Sequence, residues 1–198
     1  MKNIYRNLTV IAGCTLLLAA CSKDRLVVEP VNEFLSSNYY QTEDQVASAL
    51  IGVYDPIGWS MAYGQWISPT MMGEIRSDNA NAGGDPSNND QPGWQELDDF
   101  TNTNSNVVLH PIYRKGYIGI SRANALLDLT EIESDAVSSY KAQAQWLRAY
   151  YHFELFRHFG PIPVVNKSLT PDDMNLERGT LSEVMQQIVT DCQEALPY

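Results

Sequence analysis

Leu18-Ala19-Ala20-Cys21 places a thiol directly behind small residues at the end of an apolar run. That is the arrangement in which a bacterial export signal is cut and the exposed cysteine acylated. Lys2 and Arg6 precede the run, and no acid occurs before Asp24. The run from Leu8 to Ala20 is broken only by Thr9, Gly13, Cys14 and Thr15. It is too short to remain as a membrane span, since crossing roughly 30 Å of hydrocarbon takes about 20 apolar residues. Residues 1–20 are therefore expected to form a cleaved lipoprotein signal, and Cys21 to become the lipidated first residue of the mature chain. Several acyl chains, at about 0.8 kcal/mol per buried methylene, make such an attachment stable.

The remaining reactive side chains form no such pattern. Cys14 leaves with the leader and Cys21 takes lipid, so Cys192 alone stays in the body. It cannot form an internal disulfide, has no histidine near it in sequence, and reads as a small buried hydrophobe. Asp85, Asn88, Asn89 and Asp90 offer oxygen ligands for Ca²⁺. They lack the regular spacing and closing bidentate acid of an EF-hand loop, so no metal site is expected there. His152 and His158 are not spaced to share a helix face, and the sequence has no HExxH pair, phosphate-binding Walker loop or GxSxG elbow. No metal or cofactor is expected. The net charge is −11, from 13 basic and 24 acidic residues, and loss of Lys2 and Arg6 makes the remainder more negative still. Without a basic stripe, such a chain repels phosphate backbones, which argues against nucleic acid.

The elements that would position these groups are mainly helical. Residues 21–33, with Pro30 inside them, read as an extended tether. Thr42 with Gln45 forms a capping-box pair, and Val46, Ala49, Leu50, Val53, Tyr54 and Ile57 recur at helical spacing. From Gly58 to His110 the chain turns irregular, with a short helix near Ile67–Ile75 and a long loop, NANAGGDPSNNDQPG, between Asn79 and Gly93. Loops of that length within a domain are often functional. A helix resumes at Pro111 and carries Ile112, Tyr113, Tyr117, Ile120, Asn124 and Leu127 on one stripe. The strongest helix runs from about Ser134 to His158, stopped by Gly160-Pro161. It has one stripe at Val137, Tyr140, Ala144, Leu147, Tyr151 and Leu155, and a second at Trp146, Tyr150 and Phe153. Two apolar faces predict a helix sandwiched between neighbours. Ile162 to Val165 is predicted extended because of its prolines. A last helix opens on the Thr180–Glu183 capping box and buries Leu181, Val184, Ile188, Cys192 and Ala195. No strand pattern is evident. Helices alternating with turns suggest a helical-repeat arrangement, although no internal repeat is visible.

In this order of elements the chain resembles the N-terminal half of the SusD/RagB family of Bacteroidetes outer-membrane lipoproteins. Leu26-Val27-Val28-Glu29-Pro30 is similar to the family's tether. Phe34 to Tyr54 resembles its opening helix, and Glu74 to Asn79 its acidic segment. Tyr113 to Leu127, with Arg122-Ala123-Asn124, resembles its "RAN" helix. Most specific is the run from Ala144 to Val164, AQWLRAYYHFELFRHFGPIPV, which looks like the family's "LRA.YYF.L…FG.IP" signature. Arg178 to Pro197 is similar to the helix that follows it.

The resemblance implies a tetratricopeptide-like α–α superhelix with long irregular loops. It implies a surface protein that binds glycans or other nutrients over a SusC-like TonB-dependent transporter, anchored in the outer membrane through lipid. Family chains are much longer, so residues 34–198 are expected to be an incomplete N-terminal helical domain. Glycan recognition takes flat aromatic faces and a few polar groups for hydroxyls. Trp94 is the expected platform, with packing of its loop onto the helices as the alternative reading; Arg76, Asp78 and Asn79 are the expected polar contacts, with turn chemistry as theirs. Trp59, Tyr63 and Trp66 are expected to pack in the core. Two other functions stand beside this one: a helical scaffold that binds only a protein, and a lipid-anchored glycoside hydrolase using paired carboxylates.

Overall fold

The computed structural model describes residues 39–198 apart from Tyr63, Gly64, Pro86, Asn88, Asn89 and Met174. The leader, Cys21, the tether and the start of the domain at residue 34 lie outside the described residues, as do Asn88 and Asn89 of the calcium reading. The described chain is mainly α. Its helices are α1 (Glu43–Tyr54), α2 (Pro69–Ile75), α3 (Pro92–Asp98), α4 (Leu109–Leu129), α5 (Asp135–Phe159) and α6 (Leu181–Ala195). Short 3₁₀ turns cover Asp55–Gly58 and Pro171–Asp173. A two-residue hairpin, β1 (Met61–Ala62) against β2 (Gln65–Trp66), is antiparallel with Met61 opposite Trp66. The sequence gives no sign of this hairpin, because two-residue strands are too short for alternation to show.

Helix starts follow their caps. Thr42 Oγ1 accepts from the Gln45 amide at 3.3 Å, while Gln45 Oε1 accepts from the Thr42 amide at 3.1 Å. Thr180 and Glu183 make the same reciprocal pair at the start of α6, at 3.2 and 2.6 Å. Ser134 Oγ accepts from the Val137 amide to open α5, and Gly160, at φ +69°, closes it. A positive φ costs glycine nothing, which is why the helix stops there.

Helix α5 is the central element and packs against α1, α4 and α6. The main core joins Val46, Leu50 and Val53 of α1 to Ile120, Ala123 and Leu126 of α4 and to Ala144, Leu147, Tyr151 and Leu155 of α5. Close approach of α4 to α5 depends on two glycines. A Cβ on Gly119 would lie 2.3 Å from the Tyr151 ring, and one on Gly116 2.6 Å from Leu155. A second, smaller core gathers Ile67, Met72, Ile75, Trp94, Leu97, Val108 and Ile112, which fastens the irregular segment onto the start of α4.

Two expectations need correction. The second stripe of α5 is not sandwiched: Trp146 is 51% and Phe153 43% exposed. They form an outward face, with Trp146 stacked on Tyr150 at 6.0 Å and 8°. On α6, Val184 is buried and Ile188 packs on the core, but Leu181 is exposed and Cys192 only half-buried. Beside Val184, α6 completely buries an acid, Asp191.

That acid completes a polar network linking three helices and a loop. Arg148 of α5 donates from Nε and Nη2 to both carboxylate oxygens of Asp191, at 2.9 and 2.5 Å. Its Nη1 donates to Asn124 Oδ1 at 2.7 Å and to the Asn166 carbonyl at 3.0 Å. Asn124 Nδ2 in turn donates to the Val165 and Lys167 carbonyls. His152 lies over the Arg148 carbonyl with Nδ1, at 3.0 Å, and accepts from the Val165 amide at Nε2. Burial pulls the His152 pKa below the ordinary histidine value. In the extended run Ile162–Val165, side chains of α4 and α5 meet the Pro163 carbonyl and both main-chain groups of Val165, and the Gly179 amide donates to the Ile162 carbonyl.

Candidate functional site

Segment 76–106 is the irregular part of the chain, and its order comes from side chains that stand in for a regular ladder. Asp98 Oδ2 accepts from the Ala82 amide at 2.9 Å, and Gln95 Nε2 donates to the Gly83 carbonyl at 3.1 Å. Both tie the loop to α3. Asn106 Nδ2 donates to the Gly93 carbonyl and to Glu96 Oε2, and its Oδ1 accepts from the Val108 amide. Helix α3 was not anticipated. Its 7 residues, Pro92–Asp98, are too few to show a 3.6-residue period.

Trp94 sits at the centre of the second core and is 1% exposed. Its indole faces are covered by core side chains, so it offers no platform to a ligand. The alternative reading holds instead: it packs the loop onto the helices. Its position follows from α3, whose Gly93, Trp94 and Leu97 face inward. A Cβ on Gly93 would meet Val107 at 2.7 Å, so the helix lies hard against segment 106–108.

Arg76, Asp78 and Asn79 lie at the end of α2. Ser77 Oγ donates to the Glu74 carbonyl and accepts from the Asn79 amide at 3.2 Å, which is local turn chemistry. Asp78 and Asn79 are exposed. Arg76 reaches across to the segment after α3. Its Nη1 donates to Asn102 Oδ1 at 2.8 Å, and its guanidinium carbon stands 4.5 Å from the centroid of the Phe100 ring. Phe100 is 64% exposed and holds φ at +57°, a left-handed conformation that bulky residues rarely adopt. Two turn bonds, from the Phe100 amide to the Leu97 carbonyl and from the Thr101 amide to the Glu96 carbonyl, maintain it.

The structure therefore brings together an exposed aromatic ring, a cation stacked over one face of it and an amide bonded to that cation. Sequence reasoning found Arg76 but missed Phe100 and Asn102. The available cue was negative: Phe100 stands outside the apolar period of any helix, between Asp99 and Thr101, where burial has no partner. Of the other aromatics, Trp59 is half-buried against the second core and donates from Nε1 to Asp55 Oδ2 at 3.1 Å. Trp66 is exposed and not packed in the core as expected, and Tyr63 lies outside the described residues. Among the described residues there is no group of three or more His, Cys, Asp or Glu side chains placed to hold a metal ion. None of the described helices is long and apolar enough to cross a membrane.

The model of the SusD-like family, described as starch-binding and associating with the outer membrane, matches residues 26–197. The SusD-like protein P2 of Formosa agariphila is 24% identical over 91% of this chain and 35% of its own length. Among solved structures, a laminarin-binding SusD-like protein is 28% identical with a TM-score of 0.70, over 80% of this chain and 34% of the other. The surface glycan-binding protein A of Bacteroides uniformis is 27% identical, also with a TM-score of 0.70, over 79% of this chain and 34% of that one. The chain spans about a third of the length of these relatives. The helix pairs of α1, α4, α5 and α6 are thus the tetratricopeptide-like fold of SusD-like structures.

Proposed function

The chain belongs to the SusD-like family, and from that premise we propose that it is the N-terminal portion of a cell-surface protein that binds glycans without cleaving them. Lipid on Cys21 holds it at the outer membrane, and a SusC-like TonB-dependent transporter takes the ligand onward. The observation that carries the binding reading is the exposed Phe100 ring, with Arg76 stacked over one face and bonded to Asn102, which leaves the other face for a ligand. A sugar ring presents an apolar C–H face, which an exposed aromatic ring can cover. The guanidinium and the amide supply donors and an acceptor for the hydroxyls around that face. Asp78 and Asn79, exposed nearby in sequence, can extend the polar rim.

The names of the relatives point to the first probes, laminarin and starch. Migration of the purified chain in native gels containing each polysaccharide tests the proposal. Retardation by at least one of a panel of soluble glycans is expected. Unchanged migration across the whole panel, with the chain folded by circular dichroism, would remove it. The transporter pairing has its own test: the lipidated protein isolated in detergent should bring down a TonB-dependent transporter, and recovery without one would count against that partner. For the anchor, Cys21→Ser should shift the protein from the membrane fraction to the soluble one.

A further inference from the structure

A second site lies away from Phe100, between the Ile57–Ser60 turn, the start of α2 and the facing sides of α4 and α5. It is a cavity of about 300 Å³. That is at the small end for ligand pockets, room for one ring and not for a chain. Lys115 is among the residues that line it. Its ammonium is largely buried and donates to the Trp59 carbonyl at 2.9 Å and the Ile57 carbonyl at 3.3 Å. Those two bonds leave one of its three N–H donors unused. Burial pulls the Lys115 pKa below the ordinary lysine value, and the Glu154 charge opposes that pull.

The wall on α5 carries Glu154, Arg157 and His158. Arg157 Nη2 donates to Glu154 Oε2 at 3.0 Å, and its side chain is half exposed at the rim. His158 is nine-tenths buried, and its Nε2 has no hydrogen-bond partner. The nearest acid oxygen, on Glu154, is 3.8 Å away, too far for a hydrogen bond. That nitrogen presents no surface to the cavity, so the groups open to an entering ligand are those of Lys115 and Arg157. Trp59 and Tyr150 supply aromatic surface on the same cavity.

We propose that this cavity binds a single carboxylate-bearing sugar unit, a hexuronic acid, through Lys115 and Arg157. Two cations face one anion in the lining, so the site carries a net positive charge within a strongly acidic chain. The lining offers unused donors, the third Lys115 N–H and the remaining Arg157 N–H groups, beside the Glu154 carboxylate and the Ser60, Ser68, Thr70 and Tyr150 hydroxyls. A carboxylate supplies acceptors and balances the charge. Ring hydroxyls can donate to Glu154, and the C–H face lies against the aromatic wall. That the anion is a sugar rests on the glycan-binding reading above; that it is an anion rests on the lining alone.

The test is titration calorimetry on the full chain with methyl glucuronide, methyl galacturonide and neutral methyl glucoside. At least one uronide should bind about tenfold more tightly than the glucoside, the worth of one charge-assisted hydrogen bond set. Arg157→Gln should weaken uronide binding by about the same factor. Lys115→Met risks the fold, because the ammonium holds two main-chain carbonyls, so the rim arginine carries the test. Equal affinity for uronide and glucoside, no saturable uronide binding, or an unchanged Arg157→Gln variant would each overturn the proposal. Phe100→Ala separates the two sites. Polysaccharide binding lost in that variant while uronide binding persists supports both readings. Polysaccharide binding without uronide binding overturns this one alone, and uronide binding without polysaccharide binding overturns only the other.

Discussion

Arg148 and Asp191, 43 residues apart, meet in a doubly hydrogen-bonded ion pair whose side chains are 8% and 0% exposed. Neither charge has access to bulk water, and each is bonded to the limit of the other's geometry. Asn124 and the Asn166 carbonyl take the remaining guanidinium nitrogen. The arginine of the "LRA" run, the asparagine of the "RAN" run and the acid of α6 are therefore one structure. Arg122, the first residue of "RAN", serves a different end: it donates to the Gly52 carbonyl at the C-terminus of α1 and to Asp55. Ala123 between them is fully buried in the core.

Removing one member of the buried pair leaves the other charge stranded. Asp191→Ala should cost about 3–5 kcal/mol, measured as the shift in urea midpoint. Replacing both residues by apolar ones, Arg148→Met with Asp191→Leu, should cost less than the single change, because no charge is left without a partner.

His152 predicts a pH dependence. Its Nε2 accepts from the Val165 amide, so the folded state needs the neutral ring, and its pKa is depressed by burial. The unfolded chain takes up this proton near pH 6.5 whereas the folded one does not. Stability contributed by this group is complete above about pH 6.5 and falls as the pH drops from there toward the depressed folded value. Urea midpoints at pH 7.5 and 5.5, with an NMR titration of the imidazole, would show it. A His152 midpoint at or above 6.5 would contradict the placement.

Two glycines in helices should respond with opposite sign. A Cβ on Gly119 would meet the Tyr151 ring, which is fixed by its hydroxyl donating to the Val53 carbonyl. Overpacking of this kind costs about 1–3 kcal/mol, more than the roughly 1 kcal/mol that alanine gains in helix propensity. Gly119→Ala should therefore lower the melting temperature. Nothing lies within 4 Å of a Cβ at Gly52, so Gly52→Ala in α1 should raise stability by about 0.5–1 kcal/mol.

Most of the helical frame was legible because its determinants are local. Both capping boxes and the Gly160 stop act within a few residues, and the structure shows each of them; the predicted stripe of α1 buries Val46, Leu50 and Val53 but leaves Tyr54 and Ile57 exposed. What was not legible depends on partners far away in sequence. Whether Trp146 and Phe153 are covered depends on neighbours that periodicity does not name, and among the described residues nothing packs over them fully. The burial of Asp191 makes sense only once Arg148, 43 residues away, is opposite it. The candidate site shows the same division. The loop and Arg76 stood out by composition, whereas Trp94 and Phe100 exchange the roles that residue type alone would assign them, the larger aromatic inside and the smaller one outside.

Trp94 and Phe100 should thus separate stability from binding. Trp94→Ala empties the centre of the second core and should cost about 3–5 kcal/mol. Phe100→Ala touches only the Arg76 stack and should change stability by no more than about 0.5 kcal/mol.

The central claim is that the open Phe100 ring, flanked by Arg76 and Asn102, is a sugar-binding surface. Its most direct test is the affinity of Phe100→Ala for whichever soluble glycan retards the unaltered chain, measured by calorimetry alongside the urea midpoint. Loss of stacking should weaken binding by about tenfold or more, equivalent to roughly 1.4 kcal/mol, with the midpoint unchanged. Full affinity in a folded Phe100→Ala variant would contradict it.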